Sequence, residues 1–157
     1  MSELLPDGAL LAVDLGTVRT GVAACDPQRI LAYPVGVIPS GEPLEDHLNR
    51  LVAEHGAVAV VVGYPLALDG RPGIAADKVR AEAARLAGRI QVPVWLADER
   101  LSTAAAYARL RETGRTTRRA RGLVDAQAAV GILESVLDAS RRSLAIATRV
   151  EMEEMDE

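Results

Sequence analysis

Cysteine occurs once, at Cys25, so neither an internal disulfide nor a cysteine metal cluster can be built. The residue reads as a small buried hydrophobe before it reads as a reactive thiol. No window approaches the ~18 continuous apolar residues of a membrane span. The opening Met-Ser-Glu-Leu-Leu-Pro-Asp-Gly lacks the basic end and long apolar run of a signal peptide. The expectation is a soluble, cytoplasmic protein with no membrane partner. Only His47 and His55 could offer imidazole to a metal. Lysine also occurs once, at Lys78, against seventeen arginines. Beside abundant alanine, that bias can reflect codon composition and carries no functional weight. No internal repeat is present.

What remains is a chain of 157 residues, 49% apolar, long enough for one domain with a real core. Its net charge of −4 hides an asymmetry. Residues 100–122 carry seven arginines against the single acid Glu112, whereas Glu151, Glu153, Glu154, Asp156 and Glu157 crowd the last seven positions. A basic stripe followed by an acidic tail fits local phosphate binding better than the average charge suggests. Residues 1–142 are read as one domain and residues 143–157 as a loosely attached acidic tail. That tail is either a solubilising extension or a phosphate mimic competing for the arginines.

Apolar runs at Ala9–Asp14, Thr20–Cys25 and Ile30–Ile38, separated by short polar breaks, predict a meander of three antiparallel strands. Leu44, Leu48, Leu51 and Val52 recur at helical spacing over Pro43–His55, with Gly56 as a stop. Ala57–Val62 reads as a strand buried on both faces. A Gly/Pro-rich loop from Gly63 to Gly73 leads to a helix over Ala75–Gly88, and Val92–Ala97 is a further strand. Helices are predicted at Ser102–Thr113 and Leu123–Ser140, with a basic loop over Gly114–Gly122 between them. Helical crossovers make parallel neighbours. The fold class expected is α/β: a mixed five-stranded sheet, three antiparallel strands and then two parallel, with helices on both faces.

Three acids stand out. Asp14 ends the first strand, on the same face as Leu10 and Ala12. Glu99, in Asp98-Glu99-Arg100, follows the last strand, at the edge where open α/β sheets place ligands. Asp125 heads the apolar helical row Ala129, Ile132 and Val136, and a buried carboxylate needs a partner such as a metal ion. Each has a plain structural alternative: a turn aspartate bonding its own backbone, or acids that favour a helix start. Two strand ends and a helix start can nevertheless converge in this topology. Carboxylates without cysteine, with both histidines on the predicted first helix, suit Mg²⁺ or Mn²⁺.

The motifs Asp14-Leu-Gly-Thr-Val-Arg-Thr-Gly-Val-Ala23, Val62-Gly-Tyr-Pro-Leu-Ala-Leu-Asp-Gly70, Asp98-Glu-Arg-Leu-Ser-Thr103 and Val124-Asp125-Ala-Gln-Ala-Ala129 occur in this order across residues 9–138. Together they resemble the YqgF/RuvX group of pre-16S ribosomal RNA nucleases, also described as Holliday junction resolvase-like. The resemblance implies a ribonuclease H-like fold and places the acidic positions at Asp14, Glu99 and Asp125. Thr17 and Asp98 become supporting or capping residues. Two positions depart from the group: Ala67 stands where asparagine is common, and Val18 replaces a usually basic neighbour of Arg19.

On this reading the three carboxylates hold two divalent ions about 4 Å apart, which clamp the scissile phosphate. Arg19, Arg109, Arg111, Arg115, Arg118, Arg119 and Arg121 contact flanking phosphates, giving salt-sensitive and weakly sequence-specific binding. Tyr64 either stacks on an unpaired base or packs as a loop tyrosine; Trp95 is read as core. The partner is nucleic acid, RNA favoured over branched or single-stranded DNA, bound by a monomer or homodimer. The function implied is processing of the pre-16S rRNA 5′ end in ribosome biogenesis. A junction-resolving DNA endonuclease is one rival. Another is a non-catalytic nucleic-acid-binding or transcription-associated protein, against which retention of all three acids argues. Asp14-Leu-Gly-Thr also resembles the phosphate loop of actin-like ATPases, but those need two such domains and this chain has room for one.

Overall fold

Every residue of the first strand is buried, because the sheet it belongs to is covered on both faces. The computed structural model describes residues 5–67, 69–101, 118–141 and 147–151, the side chains of residue 101 and residues 118–125 excepted. Strands β1 (Ala9–Asp14), β2 (Arg19–Cys25) and β3 (Ala32–Pro39) form the antiparallel meander. Helix α1 (Leu44–His55) crosses to β4 (Ala57–Tyr64), and α2 (Ile74–Ala87) crosses to β5 (Val94–Asp98). A 3-10 turn at Glu99–Leu101 follows, then helix α3 (Arg118–Arg141) and strand β6 (Ala147–Arg149). The sheet order is β3-β2-β1-β4-β5-β6, with β1, β4 and β5 mutually parallel.

The two-residue strand period divides the core into two layers. Leu11 and Val13 of β1, with Val60 and Val62 of β4, pack against Leu48 and Val52 of α1 and Leu86 of α2. Leu10 and Ala12, with Ala59 and Val61, meet Ala129, Ile132, Leu133 and Val136 of α3 on the opposite face. Leu10 and Leu11 are fully enclosed, and each such side chain contributes about 1.5–3 kcal/mol. The α1 stop falls at Gly56, whose left-handed backbone (φ 63°) lets its N–H cap Val52. Trp95 is core, and both histidines sit on α1, His55 bonded through Nδ1 to the Tyr33 hydroxyl at 2.9 Å. Among the described residues no helix is long and apolar enough to cross a membrane.

Two features correct the sequence reading. The sheet has six strands rather than five: Ala147–Arg149, read as tail, pairs antiparallel with β5. Three residues of Ala-Thr-Arg carry no alternation that could announce a strand; an open sheet edge recruits them. The last helix also starts earlier, so Arg118, Arg119 and Arg121 lie on its backbone and not in a loop. Arginine and alanine are strong helix formers, and one glycine at 122 costs only about 1 kcal/mol. The predicted helix at Ser102–Thr113, with Arg109, Arg111 and Arg115, lies outside the described residues.

β6 also sets the course of the chain as far as Glu151. The chain passes from Ala147, opposite Ala97, to Val150, whose N–H bonds the Val94 carbonyl at 2.8 Å. It is thus heading away from the Glu99 end of β5 when the acids begin. Removing residues 152–157 should leave stability and the salt dependence of nucleic-acid binding unchanged. Removing residues 143–157 should strip β6 from the edge and cost about 1–3 kcal/mol in urea denaturation, from lost ladder bonds and uncovered apolar area. Equal stability of the two truncations would show that β6 contributes nothing. Tighter low-salt binding by the shorter truncation would favour the phosphate-mimic reading of the tail.

Candidate active site at the carboxyl edge of the sheet

β1, β4 and β5 all run the same way, so their C-terminal ends share one edge of the sheet. Asp14 ends β1 there. Alternation puts it on the α3 face with Leu10 and Ala12, and it is only 5% exposed. β5 ends at Ala97-Asp98, and Glu99 begins the 3-10 turn, 7% exposed. Ala97 belongs to the α3 face and alternation turns Asp98 to the other, while Glu99, beyond the strand, brings its carboxylate to the α3 side of Gly63.

Gly63 lies between them. Val13 pairs with Val62, which makes Gly63 the β4 neighbour of Asp14, while Gly63 itself pairs with Ala97. A Cβ on Gly63 would run into Ile132 Cδ1 of α3, with Ile132 Cγ1 at 3.2 Å and Glu99 Oε2 at 3.4 Å. The absent side chain therefore leaves the room in which the Glu99 carboxylate and the α3 stripe meet above the sheet. On its other side Asp14 pairs with Gly21 of β2, so both strand neighbours of this buried acid lack side chains. Glycine inside a strand marks the close approach of another element or a ligand. That signal was present in the sequence, at positions quoted only as parts of motifs, and it is what residue-by-residue reading of the acids missed.

The turn after Asp14 is equally constrained. A Cβ on Gly16 would collide with the backbone oxygen of Arg19, so Leu15-Gly16-Thr17 is held tight below Asp14. Thr17 and Val18 are exposed and Arg19 is half-buried, and all three line a cleft of about 1250 Å³ that also takes in Asp14, Gly63 and Glu99. Its far wall belongs to α1 and α2. There Arg85 bonds Glu82 (Nη2–Oε1 2.6 Å) and Glu45 (Nη1–Oε2 3.0 Å), which raise its pKa further and tie the two helices together. The described residues lining the cleft include no histidine or cysteine. Carboxylate oxygens in space kept clear by glycine suit a hard divalent cation.

Asp98 is already committed elsewhere. Its carboxylate accepts the Arg100 backbone N–H at 3.0 Å and the Arg100 side chain at 2.6–3.1 Å, a pairing that lowers its pKa. It thus caps the turn that carries Glu99. Tyr64 is 8% exposed within the α1–α2 layer; its hydroxyl accepts Arg80 Nε and Nη2 at 3.3 Å, and the guanidinium lies over its ring. A packed tyrosine describes it, and its ring is closed to base stacking in this arrangement. For Asp125, Arg118, Arg119 and Arg121 the backbone is placed on α3 and the side chains lie outside the described ones. Asp125 precedes by four the buried Ala129 and by seven the buried Ile132, the residue that abuts Gly63. Among the described residues no three ligating side chains converge.

A test of this packing follows from Gly63. Gly63→Ala should destabilise the protein by about 1–3 kcal/mol, as overpacking does, by forcing Ile132 out of its place. Adding Ile132→Val, which deletes the Cδ1 atom in the way, should restore much of the loss. Urea denaturation of the two variants reads the effect, and no recovery in the double variant would mean that the clash lies elsewhere.

The profile of a family described as RuvX: Holliday junction resolvase matches residues 8–139. A Streptomyces coelicolor protein provisionally named a pre-16S rRNA nuclease is 45% identical over 139 residues, covering 87% of this chain and 83% of the relative. A Frankia casuarinae protein of the same provisional name is 47% identical over 139 residues, covering 86% of this chain and 69% of its own length. Among solved structures, Thermus thermophilus RuvC in complex with a Holliday junction substrate matches with a TM-score of 0.52 at 16% identity. That match covers 90% of this chain and 99% of RuvC, and at such identity the likeness bears on the fold alone.

Proposed function

Because the chain belongs to the RuvX family, we propose that it is a divalent-metal-dependent nuclease that hydrolyses phosphodiester bonds in precursor 16S ribosomal RNA. The observation that carries the proposal is the pair of buried carboxylates, Asp14 and Glu99, turned to one face at the sheet's carboxyl edge beside the side-chain-free Gly63. The relatives named for pre-16S rRNA cleavage supply the substrate, and a cytoplasmic location goes with it.

In this reading Asp14, Glu99 and Asp125 hold the metal, Mg²⁺ or Mn²⁺. When bound, such ions supply charge neutralisation at the scissile phosphate and activation of the attacking water. Asp14 and Glu99 are set by strand ends, so their orientation is fixed before substrate arrives and little reorganisation remains for the reaction. α3 brings Asp125 from a separate element along the row that continues to Ile132. The glycines at 21 and 63 put no side chain of the neighbouring strands against Asp14, and Ile132 of α3 packs over Gly63. Arg19 at the cleft and the arginines of residues 109–121 hold flanking phosphates.

Asp14→Asn, Glu99→Gln and Asp125→Asn should each lower cleavage of pre-16S rRNA by at least about 100-fold while leaving the folded state intact. Double variants should be hardly worse than single ones, because the three act as a unit. The assay compares matched RNA, single-stranded DNA and a four-way junction with Mg²⁺ or Mn²⁺. Junction cleavage without RNA cleavage would replace the substrate, and wild-type turnover by two of the variants would remove the site assignment.

Replacing Arg115, Arg118, Arg119 and Arg121 with alanine should weaken binding about equally across sequences. The slope of log affinity against log salt should shrink by about 0.7 for each single-strand phosphate that is no longer neutralised. Mn²⁺ binding should persist. An unchanged slope would leave these arginines as a solvated surface.

A further inference from the structure

Glu99 sits on a three-residue turn, a short element to orient a buried carboxylate. Its neighbours on both sides are tied to each other, and one of them approaches a second loop. Arg100 donates from Nε to both Asp98 oxygens and from Nη2 to Oδ2, a forked pairing that fixes the plane of the guanidinium. Asp98 also accepts the Arg100 backbone N–H, so residues 98–100 form a closed unit with Glu99 at its centre. The remaining face of the guanidinium meets the β4–α2 loop. Nη1 lies 3.3 Å from where a Gly70 Cβ would be, and Asp69 acts on the same group electrostatically.

That loop is itself closed. The Ala67 N–H bonds the Arg71 carbonyl at 3.0 Å, the Gly70 N–H bonds the Ala67 carbonyl at 2.8 Å, and Asp69 accepts the Arg71 N–H. Gly70 has φ +86°, a conformation that disfavours side chains, and the guanidinium would press tightly on one, Nη1 lying 3.3 Å from its Cβ. Two local turns from different strand ends are therefore brought side by side at one arginine. The loop begins just after Gly63-Tyr64, and Gly63 and Glu99 both line the cleft, so Arg100 lies behind the Glu99 turn and outside the cleft itself.

We infer that Arg100, held by Asp98 and seated against Gly70, is a positioning residue that fixes the Glu99 carboxylate for metal. This rests on the nuclease reading above. Residues that orient a metal ligand from behind typically influence metal affinity by 10–100-fold when replaced. Arg100→Ala should therefore raise the Mn²⁺ half-saturation of cleavage by about 10-fold or more and lower kcat, with KM for RNA unchanged at saturating metal. Arg100→Lys should not rescue it, because an ammonium cannot reproduce the planar fork. Gly70→Ala should act in the same direction by displacing the guanidinium. The Arg100→Ala/Gly70→Ala double variant should be no worse than Arg100→Ala alone.

The experiment measures RNA cleavage kinetics beside direct Mn²⁺ binding by electron paramagnetic resonance. Amide exchange at residues 65–71 and 98–101 is followed in the same proteins, with circular dichroism to check the fold. Weaker Mn²⁺ binding and faster exchange in both segments support this positioning role. Wild-type Mn²⁺ affinity in a folded Arg100→Ala protein overturns it. So does a rise in KM for RNA with metal binding intact, which would make Arg100 a phosphate ligand. If the wild-type protein cleaves none of the nucleic acids, the nuclease reading fails, and the Mn²⁺ comparison still decides the role of Arg100.

Discussion

The molecule depends on one close approach: α3 comes down on the sheet where β4 has no side chain. Ile132 fills the space above Gly63, and Glu99 Oε2 reaches its margin. Protein interiors are packed to crystal-like density, so a methyl-sized volume cannot be added there without moving something. Because the α3 row is continuous, that approach sets the height of the helix over β1 and hence the relation of its N-terminal part to Asp14. The site is thus built less by the acids than by what has been left out between them.

The strands, their order of connection and the two-faced burial were legible because alternation and apolar runs are local signals enforced over several residues. Asp14 could be read from its face, and Glu99 from its place beyond a strand end. β6 could not, since its partner β5 supplies the reason for Ala147–Arg149 to be extended. The start of α3 was missed for the opposite reason: charge clustering at Arg118, Arg119 and Arg121 suggested a loop, while helix propensity and packing downstream prevailed. Tyr64 was left open between two roles, and its burial with Arg80 over its ring supports packing. Arg100 passed as one letter of a motif because its importance lies in a loop thirty residues earlier.

The ribonuclease H-like fold separates the charges of this chain more cleanly than its net charge implies. Around the cleft, acids and bases are largely neutralised in place: Arg85 by Glu45 and Glu82, Arg100 by Asp98. Exposed pairs of this kind add little stability, typically below about 1 kcal/mol each. Their effect here is geometric, since the first joins α1 to α2 and the second holds the Glu99 turn. Arginines already paired within the protein are poor phosphate ligands, because a new pairing must first break the old one. The proposed function assigns phosphate binding to Arg19 at the cleft and to the arginines of residues 109–121.

The proposed ligands also come from elements of different kinds. Asp14 ends one strand of the sheet and Glu99 opens the turn after another, so both are placed near each other once β1, β4 and β5 have paired. Asp125 belongs to a helix that reaches them only when its apolar row has docked. A cation shared by all three would then stabilise the docked helix as well as bind, since ligand affinity for the native arrangement adds directly to its stability. Docking is already favoured by burial of Ala129, Ile132, Leu133 and Val136, so the metal has no need to create the fold. A cation bound there would hold only the end of a helix whose middle is fixed by Gly63, and its affinity would depend on the orientation of the carboxylates.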